Sequence, residues 1–240
     1  MTQPQLATEA AGADASTPAG AGRRFPDAVA AGVPNSLRGW ARHLMRYRGP
    51  QVMAGTLVAA AGTRVAMGRF RPADLRVAAQ LVTLQPFTEW LIHVYILHRP
   101  ARQRGGTMVE LFEARKHREH HLDPLDMELT LVQGRTLASL IPTSMAIQAL
   151  TTRDRRLAMT GITTSLALLL GYEWTHFLIH TPYVPRSRWY RGLWRGHRLH
   201  HYKNEKYWFG ITSRLGDRVL RTNPERKSVE TSPTARTLAA

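Results

Sequence analysis

The chain of 240 residues contains no cysteine. This absence excludes disulfide bonds and thiolate metal sites, so only histidine, aspartate and glutamate side chains could hold a transition metal. Acidic residues are also few, 17 against 33 lysines and arginines, which gives a formal net charge of +16. Such an excess indicates an anionic partner, either nucleic acid or the negatively charged face of a membrane. The basic residues flank apolar stretches and accompany no nucleic-acid-binding motif, so the pattern favours the membrane.

The two ends of the chain lack an apolar pattern. Residues 1–35 are rich in alanine, glycine, threonine and proline and contain no hydrophobic stretch typical of a signal peptide. We expect disordered tails at residues 1–35 and 222–240, and a single folded domain at residues 36–221.

The middle of the chain has no uninterrupted apolar run, but it has four interrupted ones of nearly the ~20 residues that cross a bilayer. They are residues 51–68, 75–97, 134–152 and 157–179. Charged or polar residues such as Arg64, Glu89 and Glu173 interrupt them. We predict an all-α integral membrane protein whose four transmembrane helices form two hairpins. Four core helices of a soluble α-helical domain are the alternative.

The distribution of basic residues predicts the orientation of these hairpins. Lysines and arginines are most abundant before residue 51, between residues 98 and 130, and after residue 180. The positive-inside rule places these segments in the cytoplasm, which predicts a cell inner membrane protein. The short turns on the opposite side also contain arginines, among them Arg71 and Arg156, which the rule does not explain.

Ten of the 11 histidines fall into four clusters, a grouping that scattered core or surface histidines would not produce. The clusters are His93 and His98; His117, His120 and His121; His176 and His180; and His197, His200 and His201. Residues in each of the last three clusters are three or four positions apart from the first histidine of the cluster, so they share one face of a helix. His93 and His98 are about 140° apart on an ideal helix, so they converge only if the helix ends or distorts near Leu97.

Ten imidazoles exceed the four ligands of one tetrahedral zinc ion, whereas two ions with five ligands each would use them all. Imidazole nitrogen suits iron, zinc or copper. Four carboxylates could orient the rings by accepting their N–H groups and could offset the metal charge. These are Glu89, Glu173, Asp123 and Asp126. Alternatively, they are helix caps or surface ion pairs. His43 lies outside the clusters and is interpreted as an ordinary interfacial residue.

The order of the histidines resembles that of the fatty acid hydroxylase superfamily, which includes sterol desaturases and carotenoid hydroxylases. The resemblance covers about residues 80–222. The stretches that carry it are HVYILH at 93–98, HREHHLDPLD at 117–126, HFLIH at 176–180 and HRLHHYKNEKYWFGITSRLGD at 197–217. The last stretch is similar to the fatty acid 2-hydroxylase branch, except that Gly216 stands where that branch often has a bulky aromatic residue.

This resemblance implies that the ten clustered histidines ligate two iron ions in a cytosolic, histidine-rich helical cap on a four-helix membrane platform. It implies hydroxylation of a lipid acyl chain with O2 as co-substrate. Zinc, which has no redox states, would be an inactive substitute. The short, polar residues 1–50 cannot hold the haem domain that some members carry. A separate electron donor, a reductase or a ferredoxin- or cytochrome-type protein, is therefore expected.

Three other functions remain open from the sequence. The same site could serve carotenoid or sterol hydroxylation or desaturation. A membrane metal-binding protein would bind metal without oxygen chemistry, although its ligands would be expected to spread through the spans. A nucleic-acid-binding module is the least favoured alternative.

Three aromatic residues near the last histidine cluster have two interpretations. They either line an acyl channel or, as we favour, pack beneath the metals: Tyr202, Trp208 and Phe209.

Overall fold

The computed structural model describes Pro34 and residues 36–238. The helices are α1 (Leu37–Leu44), α2 (Arg48–Ala66), α3 (Pro72–Ile92), α4 (Phe112–Leu122), α5 (Met127–Thr130), α6 (Gly134–Thr151), α7 (Arg155–Ile179), α8 (Arg188–Tyr202) and α9 (Leu215–Val219). A π-helical turn (His93–Leu97) extends α3, and a 3-10 turn (Arg226–Ser228) follows α9. The strands are β1 (Arg102–Arg104) and β2 (Thr107–Val109). Apart from Pro34, the tail expected at residues 1–35 lies outside the described residues.

Four long helices form the body of the described fold and confirm the all-α prediction. They are α2, α3, α6 and α7, and they coincide with the four apolar stretches of the sequence. Helix α7 is central because it packs against the other three. The buried core side chains come from α2, α6 and α7: Met53, Ala60, Leu137, Ile141, Ile162 and Leu166.

The predicted membrane spans stay predictions. The four long helices have 19, 21, 18 and 25 residues. At ~1.5 Å per residue, these lengths are about 27 to 38 Å. Within the described part of the chain, no helix combines the length and the mean hydropathy of a membrane-spanning segment.

Two arginines near the α2–α3 turn have partners that the sequence does not reveal. Arg64 reaches across the first turn to Asp74, with 2.6 Å between Nη2 and Oδ1, and both side chains are buried. Thr160 of α7 donates its hydroxyl to the same carboxylate. Arg71 forms an ion pair with Asp154 in the second turn. These contacts join the α2–α3 and α6–α7 turns at the end of the bundle away from the histidines.

The β1–β2 hairpin was not predicted. The two strands pair antiparallel, with Arg102 opposite Val109. Gly105 and Gly106 form the turn between them with φ values of +55° and +81°. A two-residue turn with both φ values positive is the geometry that favours glycine. The hairpin connects the π-helical turn to α4, so it links two of the histidine clusters.

The structure corrects the expectation of a disordered tail for residues 222–238. Val229 and Ala235 are buried, and the backbone amide of Ser232 donates to the carbonyl of Lys203 at 2.7 Å. The polar composition of this segment suggested disorder, but its short side chains hydrogen-bond to the end of α8 instead. The folded domain therefore extends to residue 238.

Candidate metal centre

All ten clustered histidines lie at or near the ends of helices that meet on one side of the bundle. Helices α4 and α8 each carry three, the end of α7 carries His176 and His180, and the π-helical turn brings His93 and His98. Nine of the ten rings are buried, and His98 is half-buried. Buried imidazoles are costly unless a hydrogen bond or a metal satisfies them.

The distortion expected between His93 and His98 is present. Residues His93–Leu97 form a π-helix, and the amide of His98 donates to the carbonyl of His93 at 3.0 Å. A hydrogen bond from residue i+5 to residue i widens the turn. The two rings therefore lie on one side, with centroids 5.0 Å apart.

The ten histidines form two groups of five, each with ligand atoms within 4.8 Å of one another. We call them group I and group II. Group I is His93, His98, His117, His121 and His200; group II is His120, His176, His180, His197 and His201. The groups adjoin, because the His121 and His201 rings stack at 4.0 Å.

Helices α4 and α8 exchange one histidine each between the groups. On α4, the i and i+4 members, His117 and His121, lie in group I, and the i+3 member, His120, lies in group II. On α8, the i+3 member, His200, crosses in the opposite direction. Successive residues rotate by about 100°, so the i+3 ring points to the other side of the inward helical face from the i+4 ring. Each group therefore needs both helices.

The Nε2 atoms of the rings converge. In group I, His117 Nε2 lies 3.1 Å from the Nε2 atoms of both His93 and His98. In group II, His197 Nε2 lies 3.0 Å from the Nε2 atoms of His180 and His201. Imidazole nitrogens that converge around one point are the donor set of a transition-metal site.

Several Nδ1 atoms point outward to backbone carbonyls. His93 bonds to Phe209, His121 to Ala235 and His200 to Tyr207, each with 2.8 Å between Nδ1 and the carbonyl oxygen. Because a carbonyl only accepts, Nδ1 carries the proton in these rings. The Nε2 lone pair is then directed into the group, as a metal ligand requires.

Burial keeps the histidines of α4 and α8 neutral. Burial, and then the neighbouring histidines, holds the pKa of His117 and His197 well below the usual value. Burial likewise lowers the pKa of His121 to about 4, although the Ala235 carbonyl and Glu205 oppose the shift. Neutral imidazoles bind metal without first releasing a proton.

The donor set fits metal ions. Among the described residues, the Nε2 atoms of His120 and His121 are buried without a hydrogen-bond partner, although each ring has a contact at its Nδ1 atom. A buried polar atom left unpaired costs about 1–3 kcal/mol, which a metal bond would offset. Both groups could therefore hold an ion.

The four carboxylates proposed as partners of the rings bond elsewhere among the described residues. Asp126 accepts from the amide of Glu128 and caps α5, and Asp123 accepts from the amide of Leu125. Asp126 therefore has the capping role that was the alternative for it, and Asp123 stabilises the turn between α4 and α5. Glu89 and Glu173 instead bind backbone amides of the segments that touch the rings.

Glu89 and Asp217 together hold the loop after α8. Glu89 accepts from the amides of Ile211 and Thr212. Asp217 accepts from the amides of Phe209 and Gly210 at 3.0 and 2.7 Å. They thereby place the Phe209 carbonyl against His93. The sequence did not predict this indirect role, because the groups that the carboxylates bind are backbone amides. The only sequence signal for it is the WFGIT stretch followed by Asp217.

Glu173 has the corresponding role at group II. Its carboxylate accepts from the amide of Val132 at 3.0 Å. Two residues earlier, the backbone of Thr130 bonds to His176, and the Thr130 hydroxyl lies 3.3 Å from His120 Nδ1. Glu89 and Glu173 thus hold equivalent supporting segments in the two halves of the chain.

Of the three aromatic residues considered from the sequence, Phe209 packs against the rings. The Phe209 ring is buried, with its centroid 5.2 to 5.5 Å from those of His93, His98 and His200. Trp208 is buried with a positive φ of 58°, and its amide donates to Thr222. Tyr202 is exposed beside Arg198. His43 packs against Phe177 and lies outside both groups.

A cavity of about 310 Å³ opens beside group I. Its wall includes His98, the half-buried ring of the group, together with Arg99, Met108 and Arg118. The outside of the protein therefore reaches group I at His98.

Comparison with known proteins identifies the family of this chain. The sequence model of the fatty acid hydroxylase family matches residues 78–222, a range that contains all ten histidines. The chain belongs to the fatty acid hydroxylase family. This hydroxylase is therefore an oxidoreductase, and its membership excludes a protein that only stores or handles metal.

The chain is also similar to a curated protein and to a solved structure. A dihydroceramide fatty acyl 2-hydroxylase of Arabidopsis thaliana is 27% identical over 169 residues, which are 68% of this chain and 67% of that protein. A structure of full-length Scs7p, in which only the hydroxylase domain is visible, has a TM-score of 0.62 at 19% identity. It covers 76% of this hydroxylase and 68% of that chain. The structural likeness establishes a shared fold.

Proposed function

We propose that this hydroxylase inserts oxygen from O2 into a C–H bond of a lipid acyl chain at a di-iron centre. The observation that carries the proposal is the pair of adjoining five-histidine groups in a chain of the fatty acid hydroxylase family. Ten converging imidazoles provide ligands for two ions. The named relative, which acts on dihydroceramide fatty acyl groups, supports an acyl chain as the substrate.

Iron is the metal that fits this reaction. When bound, iron supplies the redox chemistry that O2 requires, whereas zinc has no redox states. The chain itself orients the rings through the carbonyls at their Nδ1 atoms and excludes water by burying nine of them. No side-chain general base is part of the proposal, because the cofactor performs the difficult step and the protein positions the reactants.

We further propose that α2, α3, α6 and α7 lie in a membrane, with the histidine groups at its cytoplasmic boundary. Large apolar side chains on the outer helices support this placement: Val58 is 71% exposed, Leu84 53% and Leu150 85%. The inner membrane of the cell is the proposed location. A lipid could then reach the metals from the bilayer, and a soluble electron donor could reach them from the cytoplasm.

The triple variant His117→Ala, His120→Ala and His121→Ala tests the function, because it removes ligands from both groups. We expect loss of both metal ions and of lipid product. Lipids from cells that express the wild-type chain should contain acyl chains heavier by one oxygen atom, as measured by mass spectrometry. His43→Ala is the matched control and should retain metal and product.

The outcomes separate the proposal from its alternatives. Product formation by the triple variant would disprove the metal-dependent hydroxylation. An added oxygen on a sterol or carotenoid, with unchanged acyl chains, would disprove the acyl substrate. Wild-type protein that contains zinc alone and still forms product would disprove the role of iron.

A further inference from the structure

We infer that residues 229–238 form a strap that holds His121 in its metal-binding orientation, and that Glu205 anchors this strap as a positioning residue. The inference rests on the proposed metal centre and concerns group I. The strap is the C-terminal part of the segment that the sequence assigned to a disordered tail.

A buried hydrogen bond joins the strap to the metal centre. His121 Nδ1 donates to the carbonyl of Ala235 at 2.8 Å, and both residues are buried. This carbonyl fixes the proton on Nδ1, so the buried and unpaired Nε2 atom faces group I. Outer partners of this kind typically change metal affinity by about 10- to 100-fold when they are removed. His121 therefore depends on a residue 114 positions away in the chain.

Glu205 holds the strap in place. Its Oε1 atom accepts from the hydroxyl of Ser232 at 3.0 Å and from that of Thr234 at 2.7 Å. The Ser232 amide also donates to the Lys203 carbonyl at 2.7 Å. Thr234 directly precedes Ala235 and Ser232 lies three residues before it, so these bonds set the position of the carbonyl that His121 contacts.

The charge of Glu205 also suits this place. Burial opposes its ionisation, but hydrogen bonds from Thr234 and Ser232 bring the pKa of Glu205 below its usual value. Its second oxygen, Oε2, is buried without a hydrogen-bond partner among the described residues. A negative charge beside ten neutral ligands offsets part of the charge that two metal ions would bring.

Zinc retention and hydrogen exchange test the inference without measuring activity. Full-length protein is loaded with Zn²⁺ and mixed with excess chelator, and the rate of zinc release is followed. Amide exchange of residues 229–238 is measured by mass spectrometry on the same samples. In Glu205→Ala we expect one of the two zinc ions to leave about 10- to 100-fold faster. The strap amides should exchange faster in parallel.

Three variants complete the test. Glu205→Gln keeps an oxygen that accepts both hydroxyls, so it should retain the strap and the slow release. The double variant Ser232→Ala, Thr234→Val leaves Glu205 intact but removes both donors, so it should behave like Glu205→Ala. This double variant also tests the inference if Glu205→Ala does not fold. Glu225→Ala, a change at an exposed glutamate just before the strap, is the matched control and should match the wild type.

The contrary outcomes are distinct. A strap that opens while both zinc ions stay bound would overturn the inference, as would faster release from a strap that stays protected. Equal zinc loss in Glu205→Gln and Glu205→Ala would show that charge rather than anchoring matters, and would overturn it too. Wild-type protein that binds no metal would instead refute the proposed metal centre.

Discussion

At the residue scale, the i+3 histidine of each triplet determines how the two groups are joined. His120 and His200 are the residues that leave the group of their own helix neighbours. Adjacent residues on α4, His120 and His121, therefore belong to different groups. A shift or rotation of α4 or α8 would disturb both groups together, which makes the relative position of these helices the critical dimension of the site.

The exchange of His120 and His200 between the two groups leads to a prediction that differs from one based on nearness along the chain. The double variant His117→Ala, His121→Ala should lose the ion of group I and retain about one ion per chain. The double variant His120→Ala, His121→Ala removes one ligand from each group, so both ions should be weakened. Metal content after dialysis, measured by elemental analysis, distinguishes them. Equal metal content in the two variants would contradict the assignment of the groups.

The sequence predicted which histidines come together better than it predicted their surroundings. Spacings of three and four put the rings on common faces, and the spacing of five between His93 and His98 indicated the distortion that the π-helical turn provides. The sequence could not show which ring joins which group, because that depends on how α4 and α8 pack. Nor could it show that Phe209 and Ala235 contribute carbonyls, because every residue has one.

At the scale of elements, the α2–α3 turn is stabilised by a buried ion pair. Arg64 Nη1 donates to the Gly68 carbonyl while its other nitrogens bond to Asp74 and Thr160. Removing one partner of a buried pair leaves an uncompensated charge. The apolar pattern predicted both helices and read Arg64 as an interruption, since the pattern cannot show a partner ten residues further along.

Asp74→Ala should therefore destabilise the fold by about 3–5 kcal/mol. Arg71→Ala, which breaks the more exposed pair with Asp154, should lower the stability much less. Thermal unfolding of the purified proteins measures the difference. Similar midpoints for the two variants would show that the buried pair is not important for stability.

Helix α9 approaches α3 closely at Gly216. A Cβ atom at Gly216 would lie 2.5 Å from the Pro86 carbonyl oxygen. Gly216→Ala should destabilise the fold by about 1–3 kcal/mol and lower activity, since α9 carries Asp217. Gly171→Ala has open space on α7 and should be neutral or stabilising. Equal stability of the two variants would contradict this close approach.

At the scale of the whole molecule, apolar side chains face outward on the helices that surround α7. Val58 on α2, Leu84 on α3 and Ile147 on α6 are each at least half exposed. Soluble monomers rarely expose extended apolar surface, which marks interaction sites for membranes or other proteins. The basic charge lies mainly in the other segments, as the sequence indicated. Together these two properties divide the molecule into an apolar body and a basic, histidine-rich cap.

Lysine substitutions test whether lipid contacts the apolar body. In a membrane, Val58→Lys and Leu84→Lys would each place a charge near the middle of a helix, at a cost of about 2.5–3.5 kcal/mol. In water, the same changes at exposed positions would alter stability by less than about 0.5 kcal/mol.

We expect the wild-type chain in the carbonate-washed membrane pellet and the double variant depleted from it. Val219→Lys, at an exposed apolar position of α9 in the cap, should stay with the wild type. Wild-type protein in the supernatant would contradict the membrane proposal while leaving the histidine groups untouched, because the ligands converge through contacts within the cap and helix ends.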